Sequence, residues 1–297
     1  MRIVVNTPTG KIGSALLGRL LGMDVELVLL NRNATKLKPF ADRGAIVHEG
    51  DLEDAEFVVT ATRGADALFW VTPADVATDD LRAYYNQLGK NAASAVTENG
   101  IPRVVDLSSI GAQHETGTGP IAGLYDIEKL LETTDAHVTH LRPAFFMENF
   151  FMSAGTIVAQ GAMYLPCQGS TQLEMIATAD IARAAADVIL DDSWAGRNVL
   201  ELAGPARVSF DEAAEVLGAA LGSEVRHVPV SPEQTREALV GMGISEGVAD
   251  SYLEMYRAFD NGFVTPEHPD GIKRMEMSFE EFAKNVFAPA VQSMKAE

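Results

Sequence analysis

The 297-residue chain has a single cysteine, Cys167, and so has no means of forming an intrachain disulfide. That fits a reducing compartment. The lone thiol reads as a small buried residue, since no histidine-rich surroundings are there to activate it. Positive charge is also scarce: 23 Lys and Arg stand against 42 Asp and Glu, a formal net charge of −19. No basic run interrupts this acidity, which argues against direct nucleic-acid binding, because phosphates need clustered cations. No apolar run approaches the roughly twenty residues that cross a bilayer. Strand-like residues begin at Met1, which leaves no room for a leader. No cluster of His, Cys and Glu has metal-ligand spacing, so no metal is expected. These absences point to a cytoplasmic protein without a membrane segment or direct nucleic-acid contact.

What is present is ordinary for a globular protein, with 47% apolar and 22% charged residues, and the length fits one large or two smaller domains. The informative stretch is the first thirty-two residues. Met1 to Asn6 reads as a short buried strand, Thr7 to Gly13 as a turn, Ser14 to Leu21 as a helix and Val25 to Leu30 as a second strand. Gly10 and Gly13 at the mouth of the helix allow a pyrophosphate to approach free N–H groups and the positive end of the helix dipole. The first glycine of the usual G-x-x-G-x-x-G spacing is missing, because Thr7 occupies its place. After the second strand, where an acidic residue would bind the ribose of NAD, stand Asn31 and Arg32. An arginine there suits the 2′-phosphate of NADP. A locally basic patch of Lys11, Arg32 and Lys36 can hold a phosphate despite the acidic body.

Strand and helix go on alternating for about 140 residues, with strands near 45–48, 67–71, 103–107 and 138–141 and helices near 79–98 and 124–134. Repeated βα units imply a doubly wound parallel sheet of the Rossmann type, with ligands at the carboxyl ends of the strands. That edge would be lined by Thr7 to Gly13, Asn31-Arg32, Asp51-Leu52, Thr72-Pro73, Ser108-Ser109 and Pro143-Ala144-Phe145. Beyond Phe145 the segments are less regular. Helices are expected at 179–190, 210–221, 232–242, 246–259 and 279–287, with short strands at 199–202 and 225–228. We therefore divide the chain into an NADP-binding domain, residues 1–150, and a smaller α+β lobe for substrate or partner, residues 151–297. That boundary is approximate, since the chain can cross between lobes.

The segments NTPTGKIG, LLNRN, HEGDLED, LSSIGA, HLRPAFFMENF, TADIARAAADVILDD and LELAGPARVSFDEAAEVLGAALG, in this order over nearly the whole chain, resemble the NmrA-like family of atypical short-chain dehydrogenase/reductases. The resemblance implies NADP(H) in an extended pocket at the sheet edge. It places Thr9, Gly10, Lys11, Ile12 and Gly13 around the pyrophosphate, and Arg32 with Lys36 at the 2′-phosphate. It puts Asp51 and Leu52 beside the adenine, Thr72 and Pro73 beside the nicotinamide ribose, and Pro143, Ala144 and Phe145 beside the nicotinamide. The family includes NADPH-dependent quinone reductases and redox sensors that regulate protein partners. Hydride transfer to a small planar acceptor such as a quinone is the leading expectation. A non-catalytic NADP(H) sensor acting through a protein partner is the alternative, and a biosynthetic carbonyl or imine reductase is a third.

Tyr125 and Lys129 match the Tyr-x-x-x-Lys of short-chain dehydrogenases, and with Ser109 they are the candidate catalytic set. At about 100° per residue, however, Ile121, Leu124, Ile127, Leu130 and Leu131 define the buried face of that helix. Tyr125 and Lys129 fall on the opposite side, as a surface pair would. By resemblance, the dehydrogenase Tyr and Lys positions lie nearer Pro120 and Leu124, neither of which can do acid–base work. Quinone reduction stays open on that reading, because solvent or one hydrogen-bond donor can protonate the acceptor. His114, Phe146, Asn149, Phe150 and Tyr164 are the candidate substrate pocket, while His137 and His140 read as structural.

Overall fold

The computed structural model describes residues 1–296. The first half runs β1 (Arg2–Asn6), α1 (Lys11–Leu20), β2 (Glu26–Asn31), α2 (Lys38–Ala41), β3 (Ile46–Glu49), α3 (Ala55–Ala61), β4 (Ala67–Val71), α4 (Leu81–Asn99), β5 (Arg103–Leu107), α5 (Pro120–Glu132) and β6 (His137–Pro143). The second half runs β7 (Phe145–Phe146), α6 (Ala154–Gln160), β8 (Ala162–Leu165), β9 (Gln172–Ile176), α7 (Thr178–Leu190), β10 (Arg197–Ala203), β11 (Arg207–Ser209), α8 (Phe210–Leu221), β12 (Arg226–Pro229), α9 (Pro232–Gly241), α10 (Glu246–Asp260), β13 (Lys273–Arg274), α11 (Phe279–Phe282) and α12 (Ala288–Ala296). Among the described residues no helix is long and apolar enough to cross a membrane.

Eight strands form one sheet in the order β13-β10-β6-β5-β4-β1-β2-β3, and every pairing in it is parallel. A parallel sheet must be covered on both faces, and the alternation of side chains along each strand supplies two cores. Ile3, Val5, Leu27 and Leu29 pack under α1 and α7 with Leu16, Leu17, Ile181 and Ala185. Val4, Val28, Leu68 and Trp70 pack under α3, α4 and α5 with Leu88, Val96, Ile127 and Leu131. The fold class is the expected doubly wound parallel α/β.

Three differences from the sequence reading have physical causes. The strand expected near 199–202 is β10, and it joins the large sheet beside β6 instead of the small lobe, while α7 packs on α1. The division at residue 150 is therefore not one cut, because residues 178–203 and 273–274 return to the sheet. The helix expected to start at residue 124 starts at Pro120, where proline at its first position follows Gly119 at φ +58. Of the two small sheets, β11-β9-β7 and β12-β8, the sequence showed only β12, as the strand expected at 225–228. The other strands are two to five residues long and pair only across distant sequence, so no local periodicity announces them. The rest of the lobe is a third core, rich in phenylalanine and built under α8, α11 and α12.

Candidate functional site

All carboxyl strand ends share one edge, and the strand order reverses between β1 and β4: the chain goes to β2 and β3 on one side, then to β4, β5 and β6 on the other. Ligands of doubly wound sheets bind at such a switch point. There Asn6 spans the gap, its amide donating to the Val71 carbonyl at 2.7 Å and accepting the Val71 N–H at 2.8 Å.

The turn after β1 is shaped by close backbone approach. Thr7 has φ +48, the left-handed region that a branched residue enters only at a cost of about 1–2 kcal/mol. Its carbonyl accepts the Gly10 N–H at 3.0 Å. A Cβ on Gly13 would stand 2.3 Å from that carbonyl oxygen, and one on Gly10 3.3 Å from it. Helix α1 then starts with Gly10 as its cap, with no capping side chain and no acidic residue in its first turn. The N–H groups of Lys11, Ile12 and Gly13 are consequently the uncapped ones that suit a diphosphate. The Asn31 amide donates to Thr9 Oγ1 at 3.1 Å, tying the turn to the end of β2. Arg32 and Lys36 are exposed there, while Lys11 Nζ lies 4.6 Å above the Phe151 ring. Asp51 and Leu52 follow β3, where the Asn91 amide holds the Leu52 carbonyl at 2.8 Å. Thr72 is buried after β4 and accepts the Trp70 indole N–H at 3.1 Å, with Pro73 half-buried beside it. The cradle has the shape and polarity of a dinucleotide site.

Next along the edge is a cavity of about 380 Å³. Ser108, Ser109, Pro143, Ala144 and Phe145 line it, as do Phe146 and Asn149. Its far wall comes from α10 and from Val264 and Pro266. Ser109 Oγ donates to the Ile110 carbonyl at 3.0 Å. Tyr125 and Lys129 do not reach the cavity: Lys129 is exposed, its Nζ 2.9 Å from Glu132 and 5.6 Å from the Tyr125 ring centre. The positions facing the cavity from α5 are Pro120, Ile121 and Leu124. The candidate triad is thus not assembled. Helix geometry separates Ser109 from Tyr125 and Lys129.

His114 also departs from expectation, stacking on Phe263 with ring centres 3.8 Å apart and outside the cavity lining. Phe150 and Tyr164 line a second cavity, of about 340 Å³, which meets the first at Phe145 and Asn149. Sequence reasoning missed Tyr85 on α4 and Tyr252 on α10, which both line the first cavity. Burial pushes both phenols above their ordinary pKa, so they stay protonated. They are donors rather than bases.

Beneath the cavity floor lies a buried polar chain. Ser108 Oγ donates to Glu128, whose two carboxylate oxygens accept Arg142 Nε at 2.9 Å and a terminal nitrogen at 2.7 Å. Arg142 also reaches Glu267 at 2.7 Å, and the buried Glu201 carboxylate accepts the Glu267 and His268 N–H groups at 2.7 and 2.9 Å. The segment carrying Val264 and Pro266 is thereby tied to the sheet. The sequence does hold a signal for Glu128, which follows Ile121 by seven residues and so shares its buried face.

The NmrA-like family profile matches residues 1–283. The chain belongs to the NmrA-like family. Among its relatives, the NAD(P)H azoreductase of Xenophilus azovorans is 29% identical over 285 residues, covering 95% of this chain and 96% of that protein. Quinone oxidoreductase 2 of Escherichia coli is 27% identical over 254 residues, 84% of each chain. Among solved structures, the triphenylmethane reductase of Citrobacter sp. complexed with NADP(H) superposes with a TM-score of 0.81, at 22% identity, covering 96% of this chain and 99% of that one. At that identity the likeness speaks for the fold alone. NmrA-like membership agrees with the resemblance read from the motifs.

Proposed function

We propose that this NmrA-like protein binds NADP(H) along the sheet edge and transfers hydride to a small planar, electron-poor acceptor such as a quinone. The observation that carries the reading is the junction of two features on one edge. One is an uncapped helix start behind Gly10 and Gly13, with Arg32 and Lys36 exposed beyond it. The other is a cavity walled by Pro143, Ala144 and Phe145. The names of the azoreductase and quinone oxidoreductase relatives support the same chemistry.

On this reading the N–H groups of Lys11, Ile12 and Gly13 hold the pyrophosphate, and Arg32 with Lys36 holds the 2′-phosphate by charge-assisted hydrogen bonds. Asp51 and Leu52 border the adenine, and Thr72 and Pro73 the ribose next to the nicotinamide. The bound cofactor supplies the hydride. The protein orients the acceptor between Phe145 and α10 and excludes water from that slot. The phenols of Tyr85 and Tyr252 and the Asn149 amide are the hydrogen-bond donors offered to acceptor oxygens. No lysine in the cavity lining lowers a phenol's pKa, so a carbonyl reductase of the Tyr-Lys type is disfavoured.

Steady NADPH oxidation measured with a panel of quinones tests the proposal. Turnover with NADPH preferred over NADH is the expected result. Tight NADPH binding with no turnover on any acceptor would overturn it in favour of a sensor acting through a protein partner.

A further inference from the structure

The second cavity is close in size to the first, about 340 Å³, and no charged side chain lines it. Three of the hydroxyls in its lining already donate within the protein. Thr156 Oγ1 donates to the Ser153 carbonyl at 3.0 Å, Thr235 Oγ1 to the Ser231 carbonyl at 3.1 Å, and the Tyr164 hydroxyl to Gln160 at 2.7 Å. At the rim Met152 and Met242 are 66% and 65% exposed, long flexible thioethers left in solvent. Helix α9, which forms the outer wall, has one buried residue, Leu239, and is fastened to α10 by Arg236 pairing with Glu246 and Asp250 at 2.7 Å each. From it Ala238 and Leu239 face the cavity.

Phe145 and Asn149 line both cavities, which are therefore neighbours across these two side chains. We propose that the second cavity is a subsite for an uncharged apolar arm on the acceptor, and that the substrate class is an electron-poor ring carrying such an arm. At roughly 30 Å³ per heavy-atom group, the share of one water in the liquid, the cavity takes an arm of about ten carbons. Methionines at the rim adapt to arms of different shape. This inference rests on the oxidoreductase reading.

The test uses the full-length protein with NADPH and a dimethoxy-methyl-benzoquinone headgroup carrying hydrogen, pentyl or decyl. We expect kcat/KM to rise about tenfold or more from hydrogen to decyl, carried by KM. Ala238→Phe, which fills the subsite from an exposed position on α9, should bring the three substrates within about twofold of one another. Thr235→Phe, one turn earlier, gives the same readout should that variant not fold. Equal rates for all arms in the unmutated protein, or a uniform loss in the variant, would overturn the proposal. If no quinone is reduced at all, the oxidoreductase reading fails by itself. The subsite is then decided by the uncharged dye N-phenylnaphthylamine: fluorescence enhancement that Ala238→Phe abolishes supports it, and no enhancement in the unmutated protein sinks it.

Discussion

The sheet frame and the small lobe are packed from different materials. Both faces of the frame are filled mainly by Val, Leu, Ile and Ala, with Phe69, Trp70, Tyr85 and Met275 as the large exceptions among the buried residues. The lobe gathers eight of the chain's 13 phenylalanines: Phe145, Phe150, Phe151, Phe210, Phe259, Phe279, Phe282 and Phe287. Phe145 meets Phe150, Phe210 and Phe259 edge-on, with ring centres 5.7 to 6.1 Å apart. Aliphatic side chains on regular strands make a stiff edge at which a dinucleotide can be met by backbone. Aromatic rings that interlock between short strands and helices can leave shaped gaps for a second ligand. On the function proposed above, the labour divides along the same line, with cofactor on the frame and acceptor between frame and lobe.

The hardest way to break it is to remove a ring from the lobe. Phe210→Ala should cost about 3–5 kcal/mol in denaturant unfolding, with acceptor reduction failing before NADPH affinity does. Equal loss of both would mean that the two regions are one cooperative body. On the frame side, Gly10→Val should lower NADPH affinity by on the order of a hundredfold or more while the fold survives, since a Cβ there meets only the Thr7 carbonyl, at 3.3 Å. Calorimetry on the folded variant checks this, and unchanged affinity would move the phosphate site elsewhere. Arg32→Ala should remove about 1.5–3 kcal/mol from NADPH binding and leave NADH nearly untouched. Equal affinities for the two cofactors in the unmutated protein would remove the basis for this prediction.

Two smaller tests sharpen the lobe side. Tyr252→Phe should reduce kcat with quinones by roughly two- to twelvefold, the worth of one neutral hydrogen bond. Tyr125→Phe should leave it nearly unchanged, whereas a hundredfold fall would restore the dehydrogenase motif. The smallest effect concerns His227, stacked on Phe210 in the lobe core. Burial holds its pKa below the ordinary histidine value, against weaker pulls from Asp211 and Asp260. A depressed imidazole stays neutral when folded but takes a proton once unfolded, so stability should fall as pH drops below about 6.5. His227→Phe should flatten the Tm difference between neutral and mildly acid solution, and an unchanged slope would place that proton uptake elsewhere.

Legibility in the sequence follows the same divide. In the frame, local pattern and final contacts agree. β4 and β5 span the apolar runs at 67–71 and 103–107; in the lobe, α8 is the comparable case, beginning at Phe210 where Ser209 and Glu212 close a capping box. The helical wheel of α5 correctly turned Lys129 outward, yet the buried Glu128 and its link to Arg142 went unread. A charge on an apolar face becomes intelligible only when its partner on another strand is known. Tyr252 and the second cavity were equally hidden, because α10 reaches the site only by tertiary packing. His114 was placed at the site by its loop, but Phe263, distant in sequence, draws it aside.

The parallel sheet also imposes a timetable. During synthesis the strands β1 to β6 emerge first, and β6 then stands as an open edge until β10 arrives some sixty residues later, with β13 closing in turn only from residue 273. The nascent chain thus holds an unpaired run containing Val138 and Leu141 while the lobe is still being made. The loop carrying Val264 and Pro266 comes after β10, so the edge built by β1 to β6 is complete before the first cavity has its far wall. A ribosome that stalls between residues 143 and 197 leaves this protein at its most adhesive, and a chaperone with an affinity for strand edges has its clearest opportunity in that window.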